Sequence, residues 1–342
     1  MKNKNIKQYS CLTENGRTEL PNKDELRSII EQGKEPELFL DSNACIHIIK
    51  AIDYKRKAKD VDIRRLVDLK KYISDNNINI NPLFGIMELS YSNGNFNESK
   101  FWDFKNRIDF FKRISYKNFK NFNFNYKTDY LIFSKPKLET VPVYYGLEPF
   151  ILYTYCVLLK IRQISLQGLK KNQAEKNINE LLDWMNNTLD IVLGVEYKLA
   201  LNIFGGLTEF RKMIWLEGKP EFVKRKIMGS VWDITHSRFI TNNLFLNKDL
   251  GRNIFIYFIT SDENLSKLIS NYEISTIIDN NKSYTSIHNT NIDYLHFEDA
   301  FIKKQDKRML DLLYLRKNKK SVFNKEHVTN LIVELEKENN IE

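Results

Sequence analysis

Glycine and proline are scarce, cysteine is scarcer, and no apolar run is long. The 342 residues include 12 Gly, 7 Pro and 3 Cys. So few glycines and prolines exclude collagen-like and broadly disordered classes, and leave helices free to extend. Cys11, Cys45 and Cys156 are odd in number and widely spaced, with no CxxC. Neither a zinc cluster nor a disulfide framework is expected, and the pattern suits a reducing compartment. The longest apolar stretch, Phe150 to Leu159, stops at Lys160, well short of the ~20 residues a membrane helix needs. Met1 to Arg17 is polar and lacks an apolar h-region, so no secretory signal is expected. These absences together predict a soluble cytoplasmic protein with no membrane partner. No GxxxxGK[ST] loop occurs, which leaves an ATPase unsupported.

What is present is globular in composition and basic in charge. The length allows one elaborated domain or two. A net charge of +9 favours a polyanionic partner, nucleic acid first. Lys, Asn and Ile are frequent throughout, so local clustering of charge carries more weight than the total.

Residues 1–36 are polar and read as a peripheral segment, with a short helix after Pro21 that ends near Gly33. An apolar run, Leu38-Phe39-Leu40, predicts a strand over 37–41, followed by a helix over 43–50. Ile63, Leu66, Val67, Leu69, Tyr72 and Ile73 recur near helical period and predict a helix over 60–75. Residues 78–82 read as extended, and 84–89 as the opening of a helix with Glu88 among apolar neighbours. A helical region over 147–215 is broken near Gly194 and Gly205-Gly206. One long helix over 221–247 carries Asp233 and His236. A strand over 254–260 and a helix over 263–270 follow, and Ile274–Ile278 and Ile292–Phe297 are further strand candidates. The last forty residues are helical, basic over 303–320 and amphipathic from Val322. The order strand–helix–insertion–helix–strand–helix predicts an α/β fold. Its core is split into 37–98 and 221–300 by an insertion over 99–220, and 301–342 forms a helical extension.

Two apolar runs each end in an aspartate. Asp41 follows the first, and Asp262 follows Ile254–Ile259 through Thr260-Ser261. Ligands collect at the C-terminal edge of open parallel sheets, so these two residues are candidates for neighbours in space. With Glu88 and Asp233 they form a candidate four-carboxylate site. Such hard oxygen ligands suit Mg²⁺ or Mn²⁺. A bound ion acidifies water, orients it and screens phosphate charge, which is the chemistry of phosphodiester hydrolysis. Carboxylates gathered without a cation would repel and raise one another's pKa. The plainer alternative for Asp41 and Asp262 is a helix N-cap, and for His47 and His236 a structural histidine.

Between 100 and 127 aromatic and basic residues interleave. Lys112, Arg113, Lys117, Lys120 and Lys127 are candidate phosphate contacts beside rings on which bases could stack. The phenylalanines there recur at helical spacing and read as core.

The string Leu38-Phe39-Leu40-Asp41-Ser42-Asn43 resembles the first motif of PIN-domain nucleases: an apolar strand, an aspartate, a hydroxyl residue and an asparagine. Asn81-Pro82 leading into Met87-Glu88-Leu89 resembles the second, a glutamate at a helix start. Val231-Trp232-Asp233-Ile234 resembles the third, and Ile259-Thr260-Ser261-Asp262 the fourth. The order of all four agrees. The resemblance implies a PIN-like parallel sheet flanked by helices, here with a large, mainly helical insertion and a helical C-terminal extension. It further implies a divalent-metal-dependent endoribonuclease using Mg²⁺ or Mn²⁺, acting on RNA ahead of DNA. In that picture Asp41, Glu88 and Asp233 hold the metal and Asp262 completes the pocket. Asn43 would orient Asp41 or reach the substrate, and Thr260 or Ser261 would hydrogen-bond a carboxylate or a bound water. Apart from the resemblance, His236 lies one turn beyond Asp233 and is a supporting candidate to line the pocket. A regulatory protein or a second copy of the chain are further candidate partners. Two other readings stand beside this one. The first is a PIN-like scaffold that binds nucleic acid or a partner without cutting. The second is a haloacid-dehalogenase-type phosphatase, which needs an aspartate where this chain has Asn43.

Overall fold

Strands buried on both faces read as unbroken apolar runs, and the two such runs in this chain become adjacent strands. The computed structural model describes residues 9–13, 16–53, 60–92, 95–129, 142–241, 252–270, 273–279, 284–289, 294–316 and 323–341. The chain divides into two units, Met1–Tyr144 with Asn243–Ser266, and Tyr145–Asn242 with Lys267–Glu342.

The first unit contains β1 (Ser10–Thr13), β2 (Gly16–Thr18), α1 (Lys23–Glu31), β3 (Glu35–Leu40), α2 (Ser42–Asp53), α3 (Asp60–Asn76), β4 (Asn79–Asn81) and α4 (Leu83–Ser90). There follow β5 (Tyr91–Ser92), β6 (Asn95–Phe96), α5 (Glu98–Arg113), α6 (Tyr116–Lys120), α7 (Tyr126–Asp129) and β7 (Ile254–Thr260). Its sheet runs β2-β1-β7-β3-β4. β3 is parallel to both β7 and β4, while β1 is antiparallel to β7 and β2. The result is a mixed sheet flanked by helices, an α/β fold. Leu38, Phe39, Leu40, Phe258 and Ile259 have no exposed surface. The Asp41 N–H donates to the Ile259 carbonyl at 3.0 Å, so the β3–β7 ladder continues as far as the aspartate.

Residues 1–36 are not all peripheral. β1 pairs Ser10 with Thr260 and Leu12 with Phe258, and Cys11 and Leu12 are buried. Four residues carry too little alternation to announce a strand, and the partner β7 supplies what local pattern cannot. α1 begins with a capping box in which Asn22 accepts the Glu25 N–H and the Glu25 side chain accepts the Asn22 N–H.

The aromatic–basic stretch belongs with this sheet unit, not with the helical region that follows it. α5 packs on α2 and α4, and α6 on α3. Phe101, Phe110, Phe111 and Phe119 are buried, as helical spacing predicts. Phe111 and Phe119 meet edge-to-face with centroids 4.9 Å apart.

The second unit is mainly helical. It contains α8 (Pro142–Gln167, whose first turn lies in the first unit), α9 (Lys171–Asn187), α10 (Gly194–Phe204) and α11 (Val223–Thr241). α12 (Glu263–Ser270) carries the chain across the unit boundary. The antiparallel pair β8 (Glu273–Asp279) and β9 (Tyr284–Asn289) and the helices α13 (Asp299–Arg316) and α14 (Lys325–Glu338) complete it. The strand expected over Ile292–Phe297 is not formed at 294–297, and residues 292 and 293 lie outside the described residues. β8 takes its partner from 284–289 instead. The long helix expected over 221–247 is formed over Val223–Thr241 as α11, and 242–247 lie outside the described residues. This helix belongs to the second unit, whereas the strand β7 belongs to the first. The reason is charge pairing among helices. Glu196 of α10 is fully buried and takes both its oxygens to Arg238 of α11. Thr154 of α8 donates to Glu196 at 2.6 Å and accepts from Arg238 at 2.9 Å. A carboxylate so enclosed is tolerated only because its partners meet it. Among the described residues no helix is long and apolar enough to cross a membrane.

Candidate functional site

β3 ends at Leu40, and the next residue, Asp41, starts the turn into α2. Asp41 is 1% exposed. Its Oδ2 accepts the Thr260 hydroxyl at 2.6 Å and the Asn43 amide at 3.2 Å, and its Oδ1 accepts the Ser42 hydroxyl at 3.1 Å. Burial raises the Asp41 pKa, the three hydrogen bonds offset part of that rise, and the Asp262 charge adds to it.

Asp262 follows β7 at the same sheet edge and is half-buried. Its Oδ1 accepts the Leu265 N–H at 3.0 Å, so it caps α12, as the plainer reading holds. Its own N–H donates to the Thr260 Oγ1 at 2.9 Å. Thr260 thus joins the ends of the two central strands. Ser261 is half-buried beside it.

Glu88 comes from α4. The sequence places it at a helix start, but it lies near the C-terminal end of Leu83–Ser90. The Asn81 side chain accepts the Leu83 N–H at 3.1 Å and sets the helix start upstream. A carboxylate oxygen of Glu88 and one of Asp41 lie within 4.8 Å of each other. Burial lifts the Glu88 pKa well above the usual range, Asp41 lifts it further, a hydrogen bond with Ser42 lowers it, and Asp262 raises it. The thiol of Cys45, enclosed beneath, is raised by burial and then by Asp41 and Glu88. That thiol is therefore a packed apolar group and not a nucleophile.

Gly85 makes this approach possible. A Cβ there would stand 2.6 Å from Cys45 Sγ, 2.7 Å from the Leu40 carbonyl oxygen and 2.8 Å from the Asp41 carbonyl carbon. α4 therefore lies directly on the β3–α2 turn, and Glu88, one turn beyond Gly85, shares the face turned toward Asp41. The signal was a lone glycine one turn before a glutamate in an apolar helix.

No family model, curated protein or solved structure matches this chain.

The other candidates are placed as follows. Asp233 and His236 lie on α11 in the second unit, Asp233 half-buried and His236 fully buried with its ring 5.8 Å from that of Trp232. Arg113, Lys117 and Lys120 are exposed, and Lys120 lies over the Tyr116 ring at 5.8 Å. Lys112 is half-buried, and burial lowers its pKa. The Lys127 side chain lies outside the described residues.

Glu37 was not singled out, though a carboxylate inside an apolar strand is a visible signal. It is 1% exposed and accepts from Asn79 at 3.0 Å, Asn81 at 3.2 Å and Arg252 at 2.7 Å. Burial alone would raise its pKa, but these bonds outweigh burial and hold it low. A cavity of about 210 Å³ lies there, lined by Glu35, Glu37, Asn79 and Arg252 among others. It is at the start of β3, the edge opposite Asp41. With every oxygen of Glu37 met by a donor, this cluster ties β3, β4 and the approach to β7 together.

Proposed function

We propose that the first unit holds a divalent cation, Mg²⁺ or Mn²⁺, at Asp41 and Glu88 and hydrolyses phosphodiester bonds of nucleic acid, RNA ahead of DNA. The observation that carries this is the close approach of two enclosed carboxylates at the C-terminal edge of a parallel strand pair. Two such groups either retain a proton or share a cation. Carboxylate oxygens match the preference of Mg²⁺ and Mn²⁺. Bound there, the cation supplies an acidified water and screening of phosphate charge.

The chain's own residues do the rest. Thr260, Asn43 and Ser42 fix the Asp41 carboxylate and leave it little freedom to rotate. Asp262 adds a third negative charge to the same edge. The resemblance to PIN-domain nucleases agrees with this placement, and it assigns the remaining acid to Asp233 from sequence order alone. Exposed Arg113, Lys117 and Lys120 are suited to phosphate contact, with the Tyr116 ring beside Lys120.

The test is cleavage of labelled single-stranded RNA and DNA by the full chain in Mg²⁺, Mn²⁺ or EDTA. Metal-dependent cleavage that is lost in Asp41→Asn and Glu88→Gln supports the reading, and Asp233→Asn tests the sequence-derived acid. Salt-sensitive binding without cleavage in either metal would replace the nuclease with a non-cutting scaffold.

A further inference from the structure

Tyr9, His47, Asp62 and Arg65 close a ring of polar contacts in the first unit. Tyr9 Oη and His47 Nδ1 are 2.8 Å apart. On the other side of the imidazole, Nε2 lies 3.6 Å from Asp62 Oδ1. Arg65 reaches the same Asp62 oxygen at 3.7 Å, and its guanidinium lies over the Tyr9 ring at 6.0 Å. The side chains of His47, Asp62 and Arg65 are 16–17% exposed, so the ring is enclosed yet open to water. Its position is set by the sheet. Tyr9 precedes Ser10, Ser10 pairs with Thr260, and Thr260 holds Asp41. His47 rides on α2, the helix that follows Asp41.

We propose that Tyr9 delivers the proton to the oxygen that leaves when a phosphodiester is cut, with His47 and Asp62 as positioning residues that recharge it. This rests on the nuclease reading above. As the bond from phosphorus to the leaving oxygen breaks, its electron pair stays on that oxygen. The Tyr9 hydroxyl proton moves to it while the proton on His47 Nδ1 moves to Tyr9 Oη. The incoming water loses one proton to solvent as its oxygen bonds to phosphorus, and neutral His47 takes one proton back from solvent, so protons balance. Asp62 faces the imidazole at Nε2 and orients it, and Arg65 shares the same Asp62 oxygen. Burial and the Asp62 charge raise the Tyr9 pKa, so the phenol keeps its proton and gives it up only as it gains another from His47. Transfer from His47 in the same step avoids a phenolate.

The test compares two oligonucleotides that differ only in the leaving bridging atom, oxygen or sulfur, in single-turnover cleavage by the full chain. A thiolate leaves without a proton. On the oxygen substrate Tyr9→Phe and His47→Gln should each lose about 100-fold, and on the sulfur substrate both should match wild type within about threefold. Asp41→Asn should lose both substrates. Binding of either oligonucleotide without added metal, read by fluorescence anisotropy, should not change in Tyr9→Phe. Equal slowing on both substrates, or no slowing on oxygen, overturns the relay. Wild type that cuts neither substrate, and so behaves as Asp41→Asn does, overturns the nuclease reading itself.

Discussion

The Thr260 hydroxyl donates to Asp41 Oδ2 at 2.6 Å and at the same time accepts the Asp262 main-chain N–H at 2.9 Å. One buried side chain therefore couples the carboxylate of one strand to the backbone leaving the next. Thr260→Val keeps the shape and removes the bond. It should weaken Mn²⁺ binding, measured by calorimetry, by about 10-fold or more, the scale at which loss of a ligand's own partner is felt. Urea unfolding should show a cost of about 1–3 kcal/mol, because Asp41 Oδ2 keeps only its Asn43 donor and the Asp262 N–H loses its acceptor. Unchanged Mn²⁺ affinity would remove Thr260 from the site.

Gly85→Ala puts a methyl group against the Leu40 carbonyl oxygen and Cys45 Sγ, at 2.7 and 2.6 Å. Backbone cannot swing aside as a side chain can, so α4 must shift. Overpacking of this kind costs about 1–3 kcal/mol, readable in urea. Cation binding should weaken too, because Glu88 moves with α4. Gly85→Ala with wild-type stability would show that α4 is not held where its glycine suggests.

Stability of the metal-free protein should fall as pH rises above the ordinary carboxylate range. Asp41 and Glu88 have raised folded pKa values, so the folded chain keeps protons that the unfolded chain has released. Folding takes up protons in that window, and the linkage slope is negative. Glu37, held low, acts the other way, and its contribution is lost only as pH falls below its ordinary value of 4.5. Urea midpoints in EDTA, taken from about pH 5 upward, separate the two effects. Glu88→Gln or saturating Mn²⁺ should flatten the decline, and a decline unaffected by either would place its source elsewhere.

Lys70 gives a slope of opposite sign at higher pH. It is 2% exposed, donates to the Lys112 carbonyl at 2.9 Å, and burial lowers its pKa to about 8. Between about 8 and the ordinary 10.5 the unfolded chain binds the extra proton, so the Lys70 contribution rises with pH across that interval, while the buried thiols, raised above 9.0, act the other way. The difference in urea midpoint between wild type and Lys70→Met should therefore grow in favour of wild type as pH rises through that interval, with the Lys112 part, which burial also lowers, common to both. A difference that does not change with pH would mean that Lys70 is solvated.

Much of the site was legible because its signals are local. An apolar run followed at once by Asp41, and another followed by Thr260-Ser261-Asp262, each mark a strand end, and strand ends are where β3 and β7 deliver them. Asn43 orients Asp41 as its place in the string suggests. Glu88 was legible as a residue and misplaced as a helical position, since the upstream start of α4 depends on the Asn81 side chain. Gly85 shows in the sequence only as a lone glycine one turn before Glu88, and Tyr9 shows not at all, because each matters through a partner distant in sequence.

The sequence by itself determined the two central strands, most of the long helices, the basic charge and the two aspartates at strand ends. Those follow from side-chain periodicity and from the residue that ends each apolar run, and neither needs knowledge of a partner. Only the tertiary structure decided that β3 lies beside β7, that β1 joins them, that the aromatic stretch packs with the sheet unit, and that α11 belongs to the helical unit. These depend on pairings between distant segments: the ladder register, the missing Cβ of Gly85, and the Glu196–Arg238 ion pair. Such pairings leave no periodic trace in either segment alone, because each contact is specified by the shape and charge of the other.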